Sequence, residues 1–180
     1  MDHHISLAEA MIGYFGRHRC KKCILNKPVR FGFKAWYLNS PLGYLAKFQV
    51  YQGTAFRLNR HYEEMFRKGW GTLVILLEQL PSHINDIPMR FYFDNYFPSL
   101  PLVNHLREIN YGATGTMRDN RILKTCSINC KNEMKKVPRG DTDAVVEYIH
   151  KIFLVHWKNN GVVSAVTNIS RVYPLESVSR

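Results

Sequence analysis

Acidic residues are conspicuously missing from the first third of this sequence. None stands between Glu9 and Glu63, a stretch of 53 residues that carries ten cations: Arg17, Arg19, Lys21, Lys22, Lys27, Arg30, Lys34, Lys47, Arg57 and Arg60. Cysteine is also scarce. The four present, Cys20, Cys23, Cys126 and Cys130, are too few for a disulfide framework in 180 residues and point to a reducing compartment. No apolar run approaches the roughly 18 residues of a membrane helix, so no membrane association is expected. Met1-Asp2-His3-His4 lacks the basic and then apolar regions of a secretory signal. No repeat, low-complexity segment or Gly/Ser linker divides the chain. No Gly-x-Ser-x-Gly or His-Glu-x-x-His appears, and Tyr111-Gly112-Ala113-Thr114-Gly115-Thr116 lacks the Lys-Ser/Thr of a P-loop. Its glycines are expected to permit close backbone packing beside a strand.

What is present is globular and basic. Hydrophobic residues are 46% of the chain, which excludes disorder, and 25 Lys and Arg against 14 Asp and Glu give a net charge of +11. Residues 1–90 carry 13 basic and 6 acidic residues, or +7. Residues 91–180 carry 12 and 8, or +4. A long cationic stretch without compensating acids creates a positive field that favours a polyanion. Tyr14, Phe15, Phe31, Phe33, Trp36 and Tyr37 interleave with it, a combination suited to nucleic acid. The competing reading makes these residues solvated strand faces over a core of aromatics.

The periodicities predict an α/β fold. Strands are expected near residues 5–8, 30–38, 44–51, 89–94 and 111–116, joined in one sheet, with 39–43 as the turn of a hairpin. Trp70, Leu73, Val74, Leu77 and Leu80 mark one face of a helix ending at Pro81. Ser99 is placed to cap a helix running to about Ile109, with Leu102, Leu106 and Ile109 on one face. Residues 118–143 are polar and basic, with a turn at 138–141. Asn160-Gly161 between two apolar runs predicts a hairpin over 152–167. The domain reading is a core over 1–117 and the start of a β-rich insertion region over 118–180.

Asp94 is the sharpest candidate for chemistry. An acid at the C-terminal end of a buried strand sits where open α/β sheets place ligands and metals, although it also suits a cap of the following loop. A Mg²⁺ site for phosphoryl chemistry needs several oxygen ligands, and one carboxylate is insufficient. Four thiolates from Cys20, Cys23, Cys126 and Cys130 would suit zinc, but the pairs lie 103 residues apart in irregular spacing, and unliganded thiols are the expectation.

The chain resembles piggyBac transposases and their domesticated derivatives. The match runs from Ser6-x-x-Glu9-Ala10-Met11-x-x-Tyr14-Phe15-Gly16-Arg17-His18 through Lys27-Pro28-x-Arg30-Phe31-Gly32-Phe33-Lys34, Gly43-Tyr44 and Tyr51-Gln52-Gly53. It continues through Asp94-Asn95-Tyr96-Phe97-x-Ser99-Leu100-Pro101-Leu102 and Gly112-x-x-Gly115-Thr116-x-Arg118-x-Asn120-Arg121. It ends with Trp157-Lys158-x-Asn160-x-Val162-Val163 and Val172-Tyr173-Pro174.

The resemblance implies an RNase H-like mixed sheet with flanking helices. Three aspartates would bind two divalent cations there, Mg²⁺ or Mn²⁺, to cut DNA by hydrolysis and then join its ends. It also implies a homodimer. Asp94 matches the second aspartate. Ala8 stands where the first is expected, and the third belongs to a Gly-Gly-Val-Asp motif expected beyond Arg180. A methyl group cannot ligate a metal, and Glu9 would point to the opposite strand face. The expectation is therefore a catalytically degenerate, nuclear, transposon-derived domain that needs no cofactor. Its residual role would be DNA or partner binding, with Arg17, Arg19, Lys21, Lys22, Lys27, Arg30 and Lys34 as the DNA-facing set. The competing expectation is an active metal-dependent transposase or nuclease in which Glu9 substitutes for the first aspartate.

Overall fold

Strand β1 (His4–Gly13) and strand β3 (Phe31–Asn39) form the longest ladder among the described residues. They run antiparallel in continuous register from Ser6 opposite Asn39 to Gly13 opposite Gly32. The computed structural model describes residues 3–52, 71–80, 87–123 and 125–169. The chain forms two compact units, Met1–Phe91 and Tyr92–Arg180.

In the first unit, β3 also pairs with the short β2 (Lys22–Cys23) and with β4 (Leu45–Val50), both antiparallel. The β3–β4 turn closes through Ser40: Gly43 N–H donates to its carbonyl at 2.9 Å, and Tyr44 N–H to its hydroxyl at 3.1 Å. Gly43 has φ +80, a left-handed conformation that costs glycine nothing. β5 (Arg90–Phe93) begins beside β1, where Arg90 N–H donates to the His3 carbonyl at 2.8 Å. Leu7 and Leu38, opposite each other in the ladder, are both fully buried.

Helix α1 (Gly71–Glu78) packs on β3 and β4. The strand and hairpin expectations over 5–51 agree with these elements. β1 is longer than the apolar segment 5–8, because β3 supplies a backbone ladder as far as Gly13 that the non-alternating residues after Leu7 do not advertise. The expected face of α1 needs correction. Leu73, Ile75 and Leu76 are buried, whereas Val74, Leu77 and Leu80 are only half-buried. The helix is apolar almost all round, so period alone did not choose its inner face. Trp70 lies outside the described residues.

In the second unit β5 neighbours β6 (Gly112–Thr116), and the strand order continues through β9 (Val162–Thr167) and β8 (Ile152–Lys158) to β7 (Thr142–Glu147). The pairs β6–β9, β9–β8 and β8–β7 are antiparallel. The β8–β9 hairpin turns at 159–161, as the Asn-Gly signal predicts. Helix α2 (Leu100–Glu108) packs on β6, β8 and β9. Ser99 is its N-cap by position, but its side chain makes no capping bond. Its inner face is Leu102, Val103 and Leu106; Ile109, expected there, is the C-cap and 42% exposed.

Two glutamates tie turns of this unit. Glu133, in helix α3 (Lys131–Met134), accepts Cys130 N–H at 2.8 Å. Glu147 accepts His150 N–H at 2.8 Å and Ile149 N–H at 3.0 Å. The Cys130 amide holds the Glu133 carboxyl below its usual range, and the His150 amide does the same for Glu147. A lowered folded pKa means these bonds stabilise above the ordinary glutamate range and are lost as pH falls through the lowered value. The Cys130 and His150 amide resonances, followed by NMR, should therefore titrate with midpoints below that of an ordinary glutamate. Midpoints at the ordinary value would refute this.

Candidate functional site

Strand β5 ends at Phe93 and delivers Asp94 to an exposed position, as the sequence predicts. Its carboxylate accepts Tyr96 N–H at 2.9 Å, and its carbonyl accepts Phe97 N–H at 3.3 Å. This is an Asx turn, in which a short acidic side chain replaces a backbone acceptor. The loop then buries Phe97 and Pro98.

The segment after β6 grips that loop. Arg121 donates to the Pro98 carbonyl at 2.8 Å, Arg118 reaches Asn95 Oδ1 at 3.4 Å, and the Arg118 guanidinium lies 6.0 Å from the Tyr96 ring centre. Gly115 explains the glycine run. A Cβ there would lie 2.6 Å from Pro98 Cγ and 2.9 Å from the Phe93 carbonyl oxygen, so only glycine lets β6 approach this closely. The Asp94 and Gly112–Arg121 motifs thus build one local structure.

In the first unit, Ala8 is half-buried on β1 opposite Tyr37. Glu9, the next residue, lies opposite Trp36 and is engaged on both oxygens. Lys34 Nζ is 2.6 Å from Oε2 and Lys27 Nζ is 3.7 Å from Oε1. The Glu9 side chain is 11% exposed and that of Lys34 15%. Two of the seven residues expected to face DNA are thus committed to an internal carboxylate, a pairing that charge counting could not reveal.

Arg17, Arg19 and Arg30 are exposed on the excursion between β1 and β3, and Lys21 and Lys22 are half-buried in it. A pocket of about 450 Å³ opens there, lined by Arg17, His18, Lys21, Lys22, Cys23 and Phe31 among others. Lys21 Nζ donates to the Phe15 and Gly16 carbonyls, both at 3.2 Å, and sits 5.7 Å from the Phe31 ring centre. Lys22 Nζ lies 5.0 Å from the Tyr51 ring centre. Phe15 itself is 90% exposed, a feature sequence reasoning missed because no periodicity reports solvent exposure in a loop. Arg57 and Arg60 lie outside the described residues.

Ala8 offers no oxygen, Glu9 is neutralised by two lysines, and Asp94 is a single exposed carboxylate holding a turn. No group of three or more His, Cys, Asp or Glu suited to a metal converges among the described residues. All four cysteines are free thiols.

The family model described as Transposase IS4 matches residues 1–180, and the chain belongs to that family as a piggyBac transposase-derived domain. It is 34% identical over 178 residues to human piggyBac transposable element-derived protein 3, covering 98% of this chain and 29% of that protein. It is 31% identical over 180 residues to human piggyBac transposable element-derived protein 2, covering all of this chain and 30% of the relative. In structure it is similar to a piggyBac transposase in a cryo-EM synaptic complex with hairpin DNA. The TM-score is 0.74 at 19% identity, over 97% of this chain and 34% of the other. The likeness supports the RNase H-like mixed α/β fold. The chain spans about a third of the length of these relatives.

Proposed function

We propose that this domain binds nucleic acid through the excursion between β1 and β3 and does not itself cut or join DNA strands. The observation that carries the reading is the pocket at 16–31, where Arg17, Lys21 and Lys22 converge in a stretch holding no acid. Six cations lie within residues 14–31, and the similar transposase structure is a complex with hairpin DNA. The silence of the site is supported by Ala8, which cannot hold a metal, and by the lysines that occupy Glu9. Asp94, in the role of the second aspartate, keeps a carboxylate without the partner that a bridging metal needs. Such a domain would act in the nucleus.

The test measures binding to a blunt DNA duplex across a salt series. Each phosphate contact contributes about −0.9 to the slope of log K against log salt. Replacing Arg17, Arg19, Lys22 and Arg30 together should flatten that slope by up to about 3.6 units. Lys27 and Lys34 are left untouched because Glu9 holds them, and Lys21 because it pins the loop. In the same preparation, Mn²⁺ should produce no nicking or end joining. Absent binding at low salt would refute the binding half. Metal-dependent nicking abolished by Asp94→Ala would refute the silent half and establish the enzyme reading.

A further inference from the structure

We propose that the pocket between β1 and β3 takes an unpaired DNA strand, with the Phe15 ring as the platform for a base. This rests on the nucleic-acid reading above and names the form of nucleic acid preferred. The first observation is exposure. Phe15 is 90% exposed, whereas the aromatic rings near it in the chain lie against one another. Tyr14 stacks on Phe33 at 4.9 Å between centroids, and His18 meets the same ring edge-on at 5.1 Å.

The second observation is preorganisation. Lys21 holds the carbonyls of Phe15 and Gly16 at 3.2 Å each, so the backbone carrying the exposed ring is tied down before any ligand arrives. Fixing that loop in advance removes an ordering cost from binding. Gly16 is part of the same arrangement, since a Cβ there would lie 2.4 Å from the Tyr14 hydroxyl.

The third observation is the company the ring keeps. The pocket lining starts at Gly16, the next residue in the chain, and includes Arg17, Lys21 and Lys22, with Phe31, itself 48% exposed, as part of its wall. A cationic groove that tracks the backbone, together with rings on which bases stack, is the chemistry of single-strand binding. A duplex keeps its base faces covered, and a ring reaches them only after unstacking that costs a few kcal/mol.

Fluorescence anisotropy on the full chain separates the outcomes, with three labelled probes: oligo-dT, a blunt duplex, and the same duplex with an unpaired overhang. Oligo-dT and the overhang duplex should bind more tightly than the blunt duplex. Phe15→Ala should weaken the first two by roughly 5- to 150-fold, the range of one lost base–aromatic stack, and leave blunt-duplex binding within about twofold. Phe15→Trp should restore them. Because the ring is exposed, circular dichroism of both variants should match the parent. Equal affinity for blunt and overhang duplexes, or no effect of Phe15→Ala on oligo-dT, would overturn the inference while the nucleic-acid reading stands. Failure of all three probes to bind would overturn both.

Discussion

Replacing Asn168 with leucine should lower the unfolding free energy by about 3 kcal/mol or more. Asn168 is 8% exposed, just after β9, and its amide joins three elements. Its nitrogen donates to the Val103 carbonyl of α2 and to the Tyr111 carbonyl before β6, both at 3.1 Å. Its oxygen accepts Ala113 N–H of β6 at 2.7 Å. Leucine would leave these three buried backbone groups without that partner, at roughly 1–3 kcal/mol each. Against a typical total stability of about 5–15 kcal/mol, this is a large fraction. Urea unfolding by circular dichroism measures it, with exposed Asn132→Ala as a control expected within about 0.5 kcal/mol of the parent. A midpoint for Asn168→Leu equal to that of the control would show that water or rearrangement replaces the amide.

Gly32→Ala should cost the first unit a similar amount and disable the basic pocket with it. A Cβ at Gly32 would stand 1.9 Å from the Ile12 carbonyl oxygen and 2.8 Å from its carbon. The obstacle is backbone of the paired strand, which cannot rotate away as a flexible side chain would. β1 and β3 must therefore separate at the end of their ladder, where Gly13 opposes Gly32. The same residue opposes Lys22 of β2, so the displacement reaches the strand that carries Lys22 and Cys23 into the pocket. Overpacking a fitted site costs about 1–3 kcal/mol, occasionally more, and contact with rigid backbone belongs at the upper end. Urea unfolding followed by circular dichroism should show the loss, and oligo-dT affinity should fall with it. A variant of parental stability and parental affinity would refute the close approach.

Much of the fold was legible because its strands announce themselves locally. Phe31–Asn39 alternates aromatic with small or polar residues, Asn160-Gly161 sits between apolar runs, and a hard turn follows Asn39. Each signal is confined to a few neighbours along the chain, which is the range over which side-chain period and turn chemistry act. The position of Asp94 at a strand end and the packing role of the Gly112–Gly115 run were readable for the same reason. The inner face of α1 was not, because a helix apolar on every side carries no period for burial to follow. Nor was the exchange of Ile109 for Val103 on α2, which depends on where the helix stops against the sheet.

The sequence by itself determined the α/β class, the piggyBac resemblance, the acid-free cationic stretch and the alanine at position 8. All of these are properties of residue type and order. Only the tertiary structure decided which charges are available. Register between β1 and β3 brings Lys34 to Glu9, and the excursion between those strands brings Lys27 to it as well. The same excursion holds Arg17, Arg19 and Arg30 in solvent and Phe15 bare beside them. A Coulomb partner falls off with distance in space, and distance in space is set by strand pairing, which no count along the chain contains. The three bonds of Asn168 lie 55 to 65 residues away in sequence and belong to the same class of fact. They exist only once α2, β6 and β9 have packed together.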